Sequence, residues 1–310
     1  MCQNVVTIQF LGKSDTEGKR SRDLGTFLSP TGEVKGVKEM INAIIVGAAG
    51  RMGRMVLSAI HSAEGIACIG AVEAVGHPSL GQDAGVVAGV GELTVRIETD
   101  LKSVIQKGAV VIDFTAADAS LKNMEIAAPL HKPMVVGSTG FSAQQMEKVK
   151  RLTKEFPCVL APNMSVGVNL MFRIVEEMAR TLGDDYDCEI IEAHHRMKKD
   201  APSGTALRLG EVIARGLGRK WEEVGVYGRK GLIGERSRKE IGMQVIRAGD
   251  IVGEHTVLFG GMGERIEITH RAHTRDTFAQ GAVRAAKWVV NQKSGLYDMG
   301  DVLGLKGAGI

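Results

Sequence analysis

Residues 194–205 hold the densest set of reactive groups in the chain. His194, His195, Arg196, Lys198, Lys199 and Asp200 follow one another closely, and Ser203-Gly204-Thr205 come next. The apolar run Cys188–Ala193 reads as a strand entering this loop, and Ala206–Arg215 as a helix leaving it. A helix start offers free N–H groups and partial positive charge, and hydroxyls beside it add donors, so the segment forms an anion site. Cations, proton donors and an oxyanion-binding helix start together suit a small substrate with carboxylates that takes up a proton. A solvated basic loop is the alternative reading. Zinc is a poor fit, because adjacent histidines do not readily face one metal and no third ligand is suitably spaced. The four cysteines (Cys2, Cys68, Cys158, Cys188) form no C-x-x-C pair and read as free thiols in a reducing compartment. No metal is expected.

A second constellation lies upstream. Strand Ile41–Val46 runs into Gly47-Ala48-Ala49-Gly50-Arg51-Met52-Gly53, and a helix over Arg51–Ser62 follows. Gly47 allows a tight strand-to-helix turn, Gly50 lets backbone approach a pyrophosphate, and Gly53 lets the helix pack close. The next strand, from Ile66, ends in Glu73, where a carboxylate can accept hydrogen bonds from an adenosine ribose. Because 40 of 310 residues are glycine, a purely structural turn is the competing reading. Strand, turn, helix, strand and acid in that order favour dinucleotide binding.

The elements that must hold these groups alternate. Short apolar strands are expected at Val95–Ile97, Val110–Phe114, Met134–Gly137 and Cys158–Ala161, with helices over Ala117–Leu130 and Ser142–Glu155. This is the pattern of βαβ units in an α/β Rossmann-type nucleotide-binding domain. After a long helix, Gly167–Thr181, strands dominate: Cys188–Ala193, Ile241–Arg247, Glu254–Phe259 and Arg265–Ala272. They imply an α+β domain on an open, mixed and mostly antiparallel sheet. Thr277–Val290 closes the chain as an amphipathic helix. Residues 1–39 lack sustained periodicity and are expected to be a disordered extension, with a short docked strand at Val5–Phe10 as the alternative.

Composition removes several function classes. A net charge of +3 is too small to argue for nucleic acid or a membrane surface, and 4% aromatic residues make a base-stacking platform improbable. No 18-residue apolar run and no secretory signal are visible, so the cytoplasm is the default expectation.

The segment Glu192–Ala206 resembles the signature of the 4-hydroxy-tetrahydrodipicolinate reductase (dihydrodipicolinate reductase) family. So do Gly47–Gly53, Asp113–Thr115, Gly137–Phe141, Asn163–Asn169, Arg247–His255 and Phe278–Ala282. The resemblance runs in order from Met40 to about Leu303. It implies reduction of 4-hydroxy-tetrahydrodipicolinate to tetrahydrodipicolinate with NAD(P)H, in lysine and diaminopimelate biosynthesis. By resemblance, His194 and Lys198 are the proton-donating pair, and His195, Gly204 and Thr205 hold a substrate carboxylate. Gly47, Ala48, Ala49, Gly50, Arg51, Met52 and Glu73 would bind the nucleotide. Gly137, Ser138, Thr139, Ala161, Pro162, Asn163 and Met164 would line the nicotinamide site. The implied domains are 40–166 with 275–310 for the nucleotide and 167–274 for substrate binding and tetramerisation, in a homotetramer. A carboxylate at Glu73 repels a 2′-phosphate. The position after it, basic in several family members, is Ala74, and Ala116 occupies another basic position. NADH is therefore expected to be preferred, with NADPH still accepted through Arg51. A reading of a different class stays open here: a non-catalytic NAD(H)-sensing regulator, which would need the glycine turn but not His194 and Lys198.

Overall fold

The computed structural model describes residues 5–10 and 40–305, which form two sheets. Strand β1 (Val5–Phe10) belongs to the second sheet. The first sheet begins at β2 (Ile41–Val46), whose apolar side chains are buried on both faces, as in a parallel strand covered on each side. There follow α1 (Arg51–Ser62), β3 (Ile66–Val72), α2 (Ala84–Ala88) and β4 (Ile97–Glu98). Next come β5 (Val110–Asp113), α3 (Ala117–Ala127), β6 (Met134–Val136), α4 (Ala143–Leu152) and β7 (Pro157–Leu160).

The chain then crosses to the second unit through α5 (Val166–Leu182), whose N-cap Ser165 accepts from the Val168 N–H. This unit contains β8 (Asp187–His194), α6 (Gly204–Gly216), α7 (Trp221–Val224), β9 (Gly225–Tyr227), β10 (Ile241–Arg247), β11 (Gly253–Gly260) and β12 (Arg265–Ala272). Finally α8 (Asp276–Val289), β13 (Gly295–Tyr297) and α9 (Met299–Val302) return to the first sheet. That sheet is parallel throughout, in the order β13-β7-β6-β5-β2-β3-β4. Burial on both faces explains the order of helices and strands. One face packs Val56, Leu57 and Ile60 of α1 and Ala282, Ala286 and Val289 of α8 against Ala43, Ile45 and Ile112. The other packs Met124 and Ala127 of α3 and Val149 of α4 against Ile44, Val46 and Val111.

The second sheet runs β1-β12-β11-β8-β10-β9. Met171 and Val175 of α5 and Leu209 and Ile213 of α6 cover one face, over Ile190, Met243, Val257 and Ile268. The expectation of a mostly antiparallel sheet is corrected. Among the described strands of this sheet, only β11 pairs antiparallel, with β8 and with β12, whereas β10 lies parallel to β8 and to β9. The helix α6 between β8 and β10 is the crossover that makes their parallel pairing possible. At the N-terminus, β1 runs parallel to β12, from Val5 opposite Arg265 to Phe10 opposite His270. For these residues the expected disorder gives way to a paired strand; the rest of the 1–39 segment lies outside the described residues.

Candidate active site

The glycine turn is built by backbone. Gly47 sits at φ +75°, and a Cβ on Gly53 would lie 2.0 Å from the Gly47 carbonyl oxygen, so α1 can begin this close to β2 only with glycine there. The α1 N-cap, Gly50, makes no side-chain capping bond, and the first turn holds no acid, so its N–H groups face outward for an anion. Glu73, just past β3, accepts from the Ala49 N–H at 3.0 Å, which ties the acid to the turn. Ala48 and Ala49 are themselves buried. Gly137 follows β6, and any side chain there would strike the Phe114 ring, 2.0 Å from the nearest carbon. Beneath it, Asp113 is fully buried and accepts from Thr115 N–H (2.9 Å), Thr115 Oγ1 (2.6 Å) and Asn123 Nδ2 (2.8 Å). The Ser138 hydroxyl is committed to Ser120 at 2.7 Å. These residues fit a dinucleotide: open amides for phosphate and an acid for ribose.

The histidine loop is built by side chains. His194 ends β8, and its Nδ1 lies 2.5 Å from Glu192 Oε2. Glu192 is fully buried, yet Arg247, at the end of β10, grips both its oxygens at 2.9 Å, and the Ser203 N–H donates to Oε1 at 3.0 Å. Burial alone would push the Glu192 carboxyl up; the hydrogen bonds from His194, Arg247 and Ser203 outweigh it and hold the group at about 2. Arg247 also donates to the Asp200 carbonyl at 2.7 Å, fixing the far side of the loop. The Ser203 hydroxyl caps α6 by accepting from the Ala206 N–H, and it lies 3.1 Å from His255 Nε2. His255, on β11, stacks edge-on against His194 with centroids 5.2 Å apart. Its burial pushes it down to about 3, so it is neutral at neutral pH. Lys198 pairs with Asp200 at 2.9 Å, and the hydrogen bond from Lys198 keeps that carboxyl below its usual value. Desolvation first, then nearby basic groups led by Arg275, lower His195.

One cavity of about 830 Å³ lies between the two units. Thr139, Ala161, Pro162 and Asn163 line it from the first unit, and His194, Lys198, Ser203, Gly204 and Thr205 from the second. Asn163 Nδ2 donates across the cleft to Thr205 Oγ1 at 3.1 Å. Several expected site residues lie elsewhere. His195 is outside the cavity wall, and so are Gly47–Met52, Glu73, Gly137 and Ser138. Met164 is buried in the first core, with Gly281 of α8 against its carbonyl. Arg173, Arg208 and Arg215 also line the cavity and carry no role in the sequence reading. Glu192, Arg247 and His255 likewise carry none, and Ser203 is read there only as part of the anion-binding helix start. An acid at a core-facing position of an apolar strand was the available signal for Glu192.

Residues 41–164 match the family model for the N-terminus of dihydrodipicolinate reductase, and residues 167–303 match the model for its C-terminus. The chain belongs to the dihydrodipicolinate reductase family. It is 57% identical over 267 residues to the 4-hydroxy-tetrahydrodipicolinate reductase of Syntrophus aciditrophicus, which covers 86% of this chain and 100% of that one. The corresponding enzyme of Geotalea uraniireducens is 58% identical over the same shares. A solved structure of dipicolinate-bound dihydrodipicolinate reductase from Paenisporosarcina sp. TG-14 shares the fold, with a TM-score of 0.65 at 23% identity over 84% of this chain and 97% of that one. Membership makes the chain an NAD(P)H-dependent oxidoreductase, which sets aside the sensor reading. Among the described residues, no helix is long and apolar enough to cross a membrane.

Proposed function

We propose that the chain reduces 4-hydroxy-tetrahydrodipicolinate to tetrahydrodipicolinate in lysine and diaminopimelate biosynthesis. The observation that carries this reading is the shared cavity, in which Thr139 and Ala161–Asn163 face His194, Lys198, Gly204 and Thr205. Substrate, reduced nucleotide and a proton give product, oxidised nucleotide and water. When bound, the nicotinamide supplies the hydride. The turn Gly47–Met52 holds the pyrophosphate on the α1 amides, and Glu73 takes the adenosine ribose. Thr139, Ala161, Pro162 and Asn163 line the nicotinamide pocket, and Gly137, Ser138 and Met164 adjoin them in sequence. Gly204 and Thr205, at the α6 start, hold a substrate carboxylate. His195 joins them only if the loop turns it toward the cavity. Lys198 and His194 deliver the proton to the ring as negative charge develops there, and the Lys198 cation stabilises that charge.

NADH is the preferred cofactor and NADPH a secondary one. Glu73 beside Ala74 accepts a ribose hydroxyl and offers no cation to a 2′-phosphate, and Arg51 alone compensates. One charge-assisted contact is worth about 1.5–3 kcal/mol, so the preference in kcat/KM is about tenfold. The chain works in the cytoplasm as a homotetramer. Ile191, Leu258 and Ile246, on the sheet face that α5 and α6 leave uncovered, support the association. The test is oxidation of NADH and NADPH, followed by absorbance, with freshly made substrate. Substrate-dependent turnover is expected, faster with NADH, with the gap narrowed by Ala74→Arg; absence of turnover overturns the reading.

A further inference from the structure

The proton donor and the carboxylate-binding turn are held by one carboxylate. Glu192 Oε2 meets His194 Nδ1, and Oε1 meets the Ser203 N–H immediately before Gly204-Thr205. Arg247 spans both oxygens, so neither can rotate away without breaking two charge-assisted bonds. We infer that the Glu192–Arg247 pair is a positioning unit for the reaction, setting His194 and the Ser203–Thr205 turn at a fixed separation around the substrate. Three observations carry this. Glu192 is fully buried, so it contacts no substrate itself. Among the described residues, its side-chain partners are the donor, the turn and the arginine that balances its charge. The arginine also fixes the Asp200 carbonyl, so Lys198, paired with Asp200, hangs from the same frame.

The consequence is a division of labour within one side chain. The oxygen on Nδ1 demands a proton there, fixing the ring's orientation and leaving Nε2 for exchange. The oxygen on Ser203 fixes where the α6 amides point. The groups beside His194 are Glu192 on its own strand, Arg247 opposite it on β10, His255 on β11 and His195 in the loop.

The experiment combines kinetics with a spectroscopic reading of the unaltered protein. Glu192→Gln is expected to lower kcat by about a hundredfold, through His194, and to raise KM for the dicarboxylate by about tenfold, through the turn. In a His194→Ala background the same change should lower kcat by less than about threefold further while KM still rises about tenfold. Equal losses of kcat in both backgrounds overturn the inference. Arg247→Lys keeps the charge without the two-pronged grip, and it should move both constants in the same direction by less; unchanged constants overturn the inference too. Should Glu192→Gln fail to fold, 15N spectra of wild-type histidines, with His194 assigned by its loss in His194→Ala, decide the matter. A proton on His194 Nδ1 supports the clamp, and an unprotonated Nδ1 overturns it. The kinetic arm rests on the reductase reading. Absence of turnover by wild-type protein would count against that reading alone, and the spectra would still decide the clamp.

Discussion

The glycine turn and the histidine loop are made in opposite ways. The turn needs only neighbours in sequence: Gly47, Gly50 and Gly53 shape backbone, and the start of α1 carries no side-chain cap. The loop is held by side chains that converge from three strands: Glu192 and His194 on β8, Arg247 on β10 and His255 on β11. A backbone site tolerates many side-chain changes and fails at glycine. A side-chain network fails at any member, because a buried charge that loses its partner is costly.

Lys198→Ala gives the largest effect expected from this contrast, a fall in kcat of roughly 10²–10⁴-fold, with His194→Ala in the same direction. NADH affinity, measured by fluorescence titration, should stay within about twofold, since the sites share no side chain. A parallel loss of nucleotide affinity would break the separation of the two regions. On the other side, Gly53→Val places a Cβ 2.0 Å from the Gly47 oxygen, which forces α1 away from the strand. NADH binding should weaken by about tenfold or more, with a stability loss of about 1–3 kcal/mol. Normal NADH affinity in this variant would mean that the turn relaxes where the network cannot.

Acid should find the network before the turn. His255 takes its proton at about 3 when folded, against 6.5 for an ordinary histidine. Between these values the unfolded chain binds more protons, so the stability it contributes is present above pH 6.5 and is lost as pH falls toward 3. Glu192, at about 2 against 4.5, adds a further loss as pH falls below 4.5. Unfolding free energies from denaturant titrations across this range should fall by roughly a few kcal/mol in total, and His255→Gln should flatten the upper part. An unchanged slope in that variant would remove His255 from the account. The smallest effect is expected from removing residues 1–39. The Syntrophus relative aligns over 100% of its length with 86% of this chain, so kcat should stay within about twofold. A larger fall would show that β1, on the β12 edge, reaches the site.

Local pattern made much of the fold legible. The strand at Ile41–Val46 and the helix at Arg51–Ser62 lie where apolar spacing put them, as do Ile241–Arg247 and Arg265–Ala272. β13 escaped notice because three residues, Gly295–Tyr297, carry no period; they form a strand only because β7 offers an open edge. The parallel pairing of β10 was not legible for a related reason, since alternation along a strand is the same whichever way its neighbour runs.

What the sequence by itself determined is the backbone site and the inventory of the reactive loop. Glycine spacing acts over a few bonds, and His194, Lys198, Ser203 and Thr205 crowd one short segment. What only the tertiary structure decided is which of those groups are held, and by what. Arg247 stands opposite His194 in the β8–β10 register, and His255 stands opposite Glu192 across β8 and β11. These partners are more than fifty residues apart along the chain. Hydrogen bonds need their atoms within about 3 Å, and over such separations only sheet register and packing set that distance.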